Sequence, residues 1–296
     1  MSSPPQDITL PALDGQPLAG TLFECAEPRA VLLINSGTGI PRWFYARLAT
    51  YACERNWVVL TYDYRGVGGS APRSLRGYSA SFRDWGQQDI AGAIRWLSER
   101  YPALKLYVLG HSAGGQQLGL ADNVDRVQAA LFITVSTGYW RGMPSLYGYF
   151  TLSLWKAYFP LTGYLYGYVP AKKLRLGENL PVGVVQEWGA WCLEPNYMAA
   201  FFDEGGSKAT PNGAPFGPTY FDRAKFPIRA YYFPDDPIAT RENAHPMLAL
   251  YHQASIETQW IHPSDIGVSK IGHLGFFRPR VGLPLWDDAL HWLLSQ

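Results

Sequence analysis

Apolar positions along the chain fall into short continuous runs separated by stretches of helical spacing. The run at 30–34 (AVLLI) ends in Asn35-Ser36-Gly37-Thr38-Gly39, and a helix-like segment over 43–56 leads to a second run, 57–63 (WVVLTYD). Within 81–100, Ile90, Ala93, Ile94 and Leu97 recur at the spacing of one helix face. A third run, 105–110 (KLYVLG), a helix beginning at about Ala113, and a fourth run, 129–135 (AALFITV), continue the alternation. Strands apolar on both faces and separated by helices describe a parallel sheet covered on both sides.

The alternation stops between 138 and 221, where aromatic, Gly and Pro residues dominate and no strand period is visible. It resumes with a strand at 227–233 (PIRAYYF), a helix over 242–252, a strand over 257–262 and a final helix over 285–294. The predicted organisation is therefore a core formed by 1–137 and 222–296, interrupted by an inserted aromatic-rich cap, 138–221. Residues 142–171 carry Lys156 as their one charged side chain, which raises the question of a membrane span. Pro144, Pro160, several glycines and many tyrosines stand where Leu, Ile and Val would be expected in lipid. A span there would also put earlier and later strands of one sheet on opposite sides of a bilayer. No stable span is expected, although the aromatics suit transient contact with an interface.

Charge and cysteine content narrow the partners. Lys plus Arg (25) nearly balance Asp plus Glu (24), so the chain has no basic footprint for nucleic acid, and a small molecule is the expected partner. The opening MSSPPQDITL has neither the basic nor the apolar region of a secretory signal. Cys25, Cys53 and Cys192 are odd in number and lack metal-ligand spacing. A cytoplasmic location, no metal and no organic cofactor are the expectations.

The candidate chemistry centres on Gly110-His111-Ser112-Ala113-Gly114, a G-x-S-x-G match between a strand and a helix. In a chain with 30 glycines the pentapeptide alone is a weak signal, and a serine N-cap beside a tight turn is the plain alternative. Its placement argues for Ser112 as a nucleophile standing above the sheet. The following helix would point its positive end at a reacting carbonyl, with the Ala113 N–H donating to the oxyanion. A second donor should come from the loop after the first run, where the N–H groups of Gly37 and Thr38 both qualify. That loop lacks the G-K-[ST] ending of a phosphate cradle.

Six histidines compete for the role of general base. His111 lies inside the nucleophile turn and points away from the serine, His245 precedes a proline, His252 and His291 lie on helical segments, and His262 closes the last strand. His273 sits in a Gly-flanked loop between the last strand and the last helix, from which it can reach back to Ser112. The orienting acid should follow the strand at 227–233, where Asp235 and Asp236 stand side by side.

These motifs resemble the α/β-hydrolase superfamily, in particular its bacterial serine esterase, lipase and serine-aminopeptidase-like group. Residues 63–70 (DYRGVGGS) are similar to that family's D-x-R-G-x-G-x-S turn, and 235–238 (DDPI) and 271–277 (IGHLGFF) to its acid and histidine loops. The resemblance implies an α/β fold with an eight-stranded, mostly parallel sheet and a triad in the order Ser112, Asp236, His273. It selects Asp236 because the family's carboxylate precedes a Pro and an aliphatic residue, here Pro237 and Ile238. The departure is Asn35-Ser36-Gly37-Thr38-Gly39 in place of the usual His-Gly pair of the oxyanion loop.

The expected function is a serine hydrolase cleaving an apolar carboxylic ester through an acyl-enzyme. The same triad would serve an acyltransferase, an amidase or a peptidase. A hydrolase-fold binding protein without turnover is the reading from another class, and the intact Ser, His and Asp set disfavours it. Trp140, Trp155, Trp188 and Trp191 of the inserted segment are expected to line an acyl pocket.

Overall fold

The computed structural model describes residues 4–296. Eight strands form one sheet: β1 (Gln6–Pro11), β2 (Pro17–Phe23), β3 (Ala30–Asn35), β4 (Trp57–Tyr62), β5 (Leu106–His111), β6 (Val127–Ile133), β7 (Ile228–Tyr232) and β8 (Ile256–Trp260). Their order is β1-β2-β4-β3-β5-β6-β7-β8; β1 and β2 pair antiparallel with their neighbours, and every other pairing is parallel. This is the eight-stranded, mostly parallel sheet that the sequence resemblance implies.

The continuous apolar runs have a direct cause. Every residue of β3, β4 and β5 is buried, and successive side chains point to opposite faces. Val31 and Leu33 belong to one apolar cluster, with Val58, Leu60 and Val108, while Leu32 and Ile34 belong to the other, with Val59 and Leu109. The helices cover both faces: α1 (Ala46–Cys53), α2 (Ala91–Arg100), α3 (Ala113–Gln116), α4 (Ser145–Ser153), α5 (Phe159–Tyr166), α6 (Val182–Cys192), α7 (Arg241–Leu248) and α8 (Pro279–Leu294).

Element limits differ from expectation in identifiable ways. The helix expected from Ala113 is only four residues long, and the chain then tightens into a 3₁₀ turn at Leu118–Leu120. The last helix begins at Pro279 rather than 285, because a proline in the first turn needs no intrahelical N–H bond and Pro284 is accommodated inside it. The β1–β2 hairpin, not anticipated, turns through Asp14-Gly15 with Gly15 at a φ of 86°.

Between β6 and β7 the described residues form helices and turns, with one isolated bridge, Val169 to Leu180. α4, a π-helical turn at Leu154–Tyr158 and α5 follow one another without a break. The segment shares the main core: Trp155, Val184 and Trp191 cluster with Phe82 and Trp85, and the Trp191 ring lies 5.1 Å from that of Phe82. Among the described residues no helix is long and apolar enough to cross a membrane.

A buried carboxylate ties α6 to the core. Glu187 Oε2 accepts the Arg83 backbone N–H at 2.8 Å, and Oε1 lies 3.4 Å from Arg83 Nη1. Burial raises the Glu187 carboxyl, and Arg83 opposes that shift. Glu187→Ala would leave the Arg83 guanidinium buried without its counter-charge, and a loss of about 3 kcal/mol in urea unfolding is expected. Glu187→Gln keeps the volume and an acceptor for the Arg83 N–H and should lose less; equal losses would show that the charge opposite Arg83, rather than volume or the hydrogen bond, holds α6 in place.

Candidate active site

β5 ends at His111 and α3 begins at Ala113, so Ser112 alone carries the reversal from strand to helix. Its backbone sits at φ 47° and ψ −112°, a region that costs of order 1–3 kcal/mol for a residue with a side chain. The flanking glycines are required by close approach. A Cβ on Gly114 would lie 2.2 Å from the Asn35 carbonyl oxygen, and one on Gly110 would lie 2.6 Å from the Gly115 nitrogen.

The surroundings of Ser112 show which of the backbone N–H groups expected near it already have acceptors. A helix of four residues has little macrodipole, so the positive helix end expected at this point reduces to individual N–H groups. The Ala113 N–H has no acceptor among the described residues. In the loop after β3, Gly37 is already engaged, its N–H donating to the Tyr45 hydroxyl at 2.8 Å. The Thr38 N–H is without an acceptor among the described residues, which leaves it as the available donor of the two.

His273 Nδ1 lies 2.6 Å from Asp236 Oδ2, and the buried Asp236 accepts the Ile238 N–H on its other oxygen at 2.8 Å. The neighbouring carboxylate does a different job. Asp235 accepts the backbone N–H groups of Ile271 and Gly272 at 2.8 and 3.0 Å, pinning the loop that carries His273. With Nδ1 engaged, Nε2 is the ring nitrogen of His273 left to exchange a proton. No hydrogen bond joins it to Ser112 Oγ in this conformation, and such bonds commonly tighten only around substrate.

Sequence reasoning set His111 aside, yet it joins three parts of the site. Its Nε2 donates to the His273 carbonyl oxygen at 3.1 Å. Because a carbonyl only accepts, Nε2 carries the hydrogen and Nδ1 is bare, so Nδ1 accepts from the Tyr45 hydroxyl at 2.7 Å. Tyr45 accepts in turn from Gly37. A buried chain therefore runs from the loop after β3, through α1's leading turn, to the histidine loop. The signal in the sequence was a histidine wedged between a strand and a reversal, where a buried imidazole must find two partners.

Ser112 and His273 line one cavity of about 340 Å³ whose wall is mostly apolar. Met143, Tyr147, Phe150, Leu154, Trp155 and Phe159 recur along the α4–α5 stretch at helical spacing and face it together. Trp155 and Trp188 line it as expected, their rings 4.8 Å apart. Trp140 and Trp191 do not. Trp191 is packed in the core against Phe82 and Tyr197, whereas Trp140 packs on Tyr149 with Arg141 over its ring. Burial, with the nearby Asp236 carboxylate, pushes the Tyr147 phenol up. Among the described residues no three His, Cys, Asp or Glu side chains are grouped to hold a metal ion.

The buried His111 makes a testable link between pH and stability. Burial first, and His273 second, hold its imidazole well below the ordinary value. Above about pH 6.5 it is neutral in the folded and unfolded chain alike; below that, only the unfolded chain gains the proton. Stability should therefore fall with acidification by up to about 1.4 kcal/mol per pH unit. Urea unfolding near pH 7.5 and near pH 5.5 should show this slope in the wild type and a flatter one in His111→Asn. Parallel slopes would place its origin elsewhere.

Comparison with known proteins extends these observations. A family model described as serine aminopeptidase, S33, matches residues 26–160. Over 107 residues the chain is 35% identical to RutD of Caulobacter segnis, provisionally named a carbamate hydrolase; the match covers 36% of this chain and 34% of that protein. The chain thus spans about one third of the length of this relative. Esterase Pf2001 of Pyrococcus furiosus superposes with a TM-score of 0.60 at 16% identity, covering 99% of this chain and 92% of its own. GrgF, an alpha/beta hydrolase from Penicillium sp. sh18, superposes with a TM-score of 0.61 at 18% identity, covering 99% of each. At such identities the structural likeness is one of fold. Together with the sheet order and the turn at Ser112, these likenesses show that the chain has the α/β-hydrolase fold.

Proposed function

We propose that the protein is a cytoplasmic serine hydrolase that cleaves an apolar carboxylic ester through an acyl-enzyme. The observation that carries this reading is the meeting, in one cavity, of a serine held on a strained reversal and a histidine paired to a buried carboxylate. Ser112 Oγ attacks the acyl carbon while His273 Nε2 takes its proton. Asp236 holds the Nδ1–H tautomer and supports the imidazolium, and the Ala113 and Thr38 N–H groups receive the developing oxyanion. His273 then returns the proton to the leaving alcohol. In the second half, water attacks the acyl-enzyme with His273 again as base, and Ser112 is restored. Residues 138–221 act as a cap whose aromatic underside holds the acyl chain.

Covalent labelling with a fluorophosphonate, mapped to Ser112, is the direct test of the nucleophile. Ser112→Ala and His273→Ala should each lose about 10³-fold or more of the activity without unfolding, because triad members act as a unit. Labelling elsewhere, or full turnover by Ser112→Ala, would remove the proposal. Asp236→Asn should lower kcat by orders of magnitude through the wrong tautomer. Asp235→Asn retains one acceptor for the histidine loop and should cost far less; a reversed outcome would exchange their roles.

The apolar wall gives a second measurement. Each methylene of the acyl chain entering the cavity should add about 0.8 kcal/mol until it is full, so acetyl to hexanoyl gains about 3 kcal/mol, on the order of 100-fold in kcat/KM. A p-nitrophenyl ester series of increasing chain length reads this directly, and a carbamate belongs in the panel because of the likeness to RutD. A profile that is flat or falls beyond acetyl would assign the aromatics to packing alone.

A further inference from the structure

The outward face of the α4–α5 stretch is apolar where a surface helix is ordinarily polar. Leu146, Tyr149, Phe150, Leu161, Tyr164 and Leu165 are exposed, Leu146 and Tyr164 to 88% each. Of the eleven large hydrophobic side chains left exposed among the described residues, nine fall between Leu146 and Leu176, a concentration in one segment rather than ordinary scatter. Its opposite side, through Trp155, Phe159 and Thr162, is already buried.

Charge narrows what can cover it. Residues 140–177 contain Arg141, Lys156, Lys172, Lys173 and Arg175 and no Asp or Glu. Lys172 is paired with Glu178, while the other four make no ion pair among the described residues. Arg76 joins them at the end of α5, where a Cβ on Gly167 would lie 2.9 Å from its Cγ. A second copy of the chain would bring two such cationic rims together. An anionic lipid surface would instead neutralise the rim while its acyl region receives the Leu and Tyr side chains.

We propose that this face docks the protein onto an anionic lipid bilayer. The docked surface continues into the cavity: Phe150, Arg175 and Leu176 are exposed and also line it. On the reading of the site as an acyl-ester hydrolase, a chain drawn from the bilayer would reach Ser112 without crossing water. Docking itself stands on the exposed face and its cations, independently of that reading.

Co-sedimentation of the full chain with vesicles tests it. Vesicles of phosphatidylcholine with roughly one third phosphatidylglycerol should bind the protein, and vesicles of phosphatidylcholine alone should bind it weakly. Binding should fall with added salt. Leu161→Glu/Leu165→Glu should abolish vesicle binding and keep hydrolysis of a soluble short-chain ester, since neither residue lines the cavity. Lys156→Glu/Lys173→Glu should weaken binding about tenfold or more. Absence of binding, or equal binding to neutral and anionic vesicles, would overturn the proposal. So would a dimer in light scattering that the leucine double variant splits into monomers, because the face would then be a self-contact. Vesicle binding by a protein inactive on every ester would leave docking standing and remove the ester-hydrolase reading.

Discussion

A strand that reverses into a helix within one residue forces that residue to positive φ, and here the residue is Ser112. The strained geometry survives because its surroundings over-determine it: β5 is bonded on both sides by β3 and β6, and α3 presses against the end of β3. The approach is close enough that Gly114 stands almost on the Asn35 carbonyl. Glycines around the serine are therefore a steric requirement of the reversal. In a parallel sheet the strand ends of β3, β5 and β7 lie at one edge, so the loops bearing Thr38, Ser112 and Asp236 converge without further design.

Loops that converge must still be held, and buried and partly buried polar contacts do this. Asp235 and Asp236, adjacent in sequence, separate their duties: one fixes the backbone of the histidine loop and the other its ring. Beside β4, Asp63 accepts from the backbone of Arg42 and of Gly69, and Arg65 pairs with Asp89 and Asp14. In a low-dielectric interior these bonds matter most for what their loss would leave exposed to nothing, an unpaired charge or a bare N–H. The candidate site is thus positioned by groups that do not line its cavity.

Legibility in the sequence followed burial. β3, β4 and β5 were plain because burial on both faces leaves unbroken apolar runs. β1 escaped notice because it lies at the sheet's edge with mostly exposed positions, although its Asp14-Gly15 turn was a hairpin signal. Ser112 and His273 stood out because glycines mark the turns that carry them. The loop after β3 was not legible to this level, since whether the Gly37 or the Thr38 N–H is free depends on Tyr45, whose hydroxyl arrives there only through the packing of the first helix. Composition likewise counted the aromatic rings of 138–221 without saying which way each faces. Trp155 and Trp188 turn to the cavity, and Trp191 turns to Phe82.

The hydrogen-bonded chain Gly37–Tyr45–His111–His273 has a consequence for how this protein can change over generations. Tyr45 and His111 each have one hydrogen-bond partner on either side, so a substitution at Tyr45 strands a nitrogen of His111, and a substitution at His111 leaves the hydroxyl of Tyr45 without its acceptor. The pair is therefore coupled: either change alone leaves a group of its partner unpaired, whereas a paired replacement by apolar residues removes those two groups together and leaves the Gly37 N–H as the one donor still to be satisfied. Among descendants of a common ancestor, positions 45 and 111 should be inherited as a matched set.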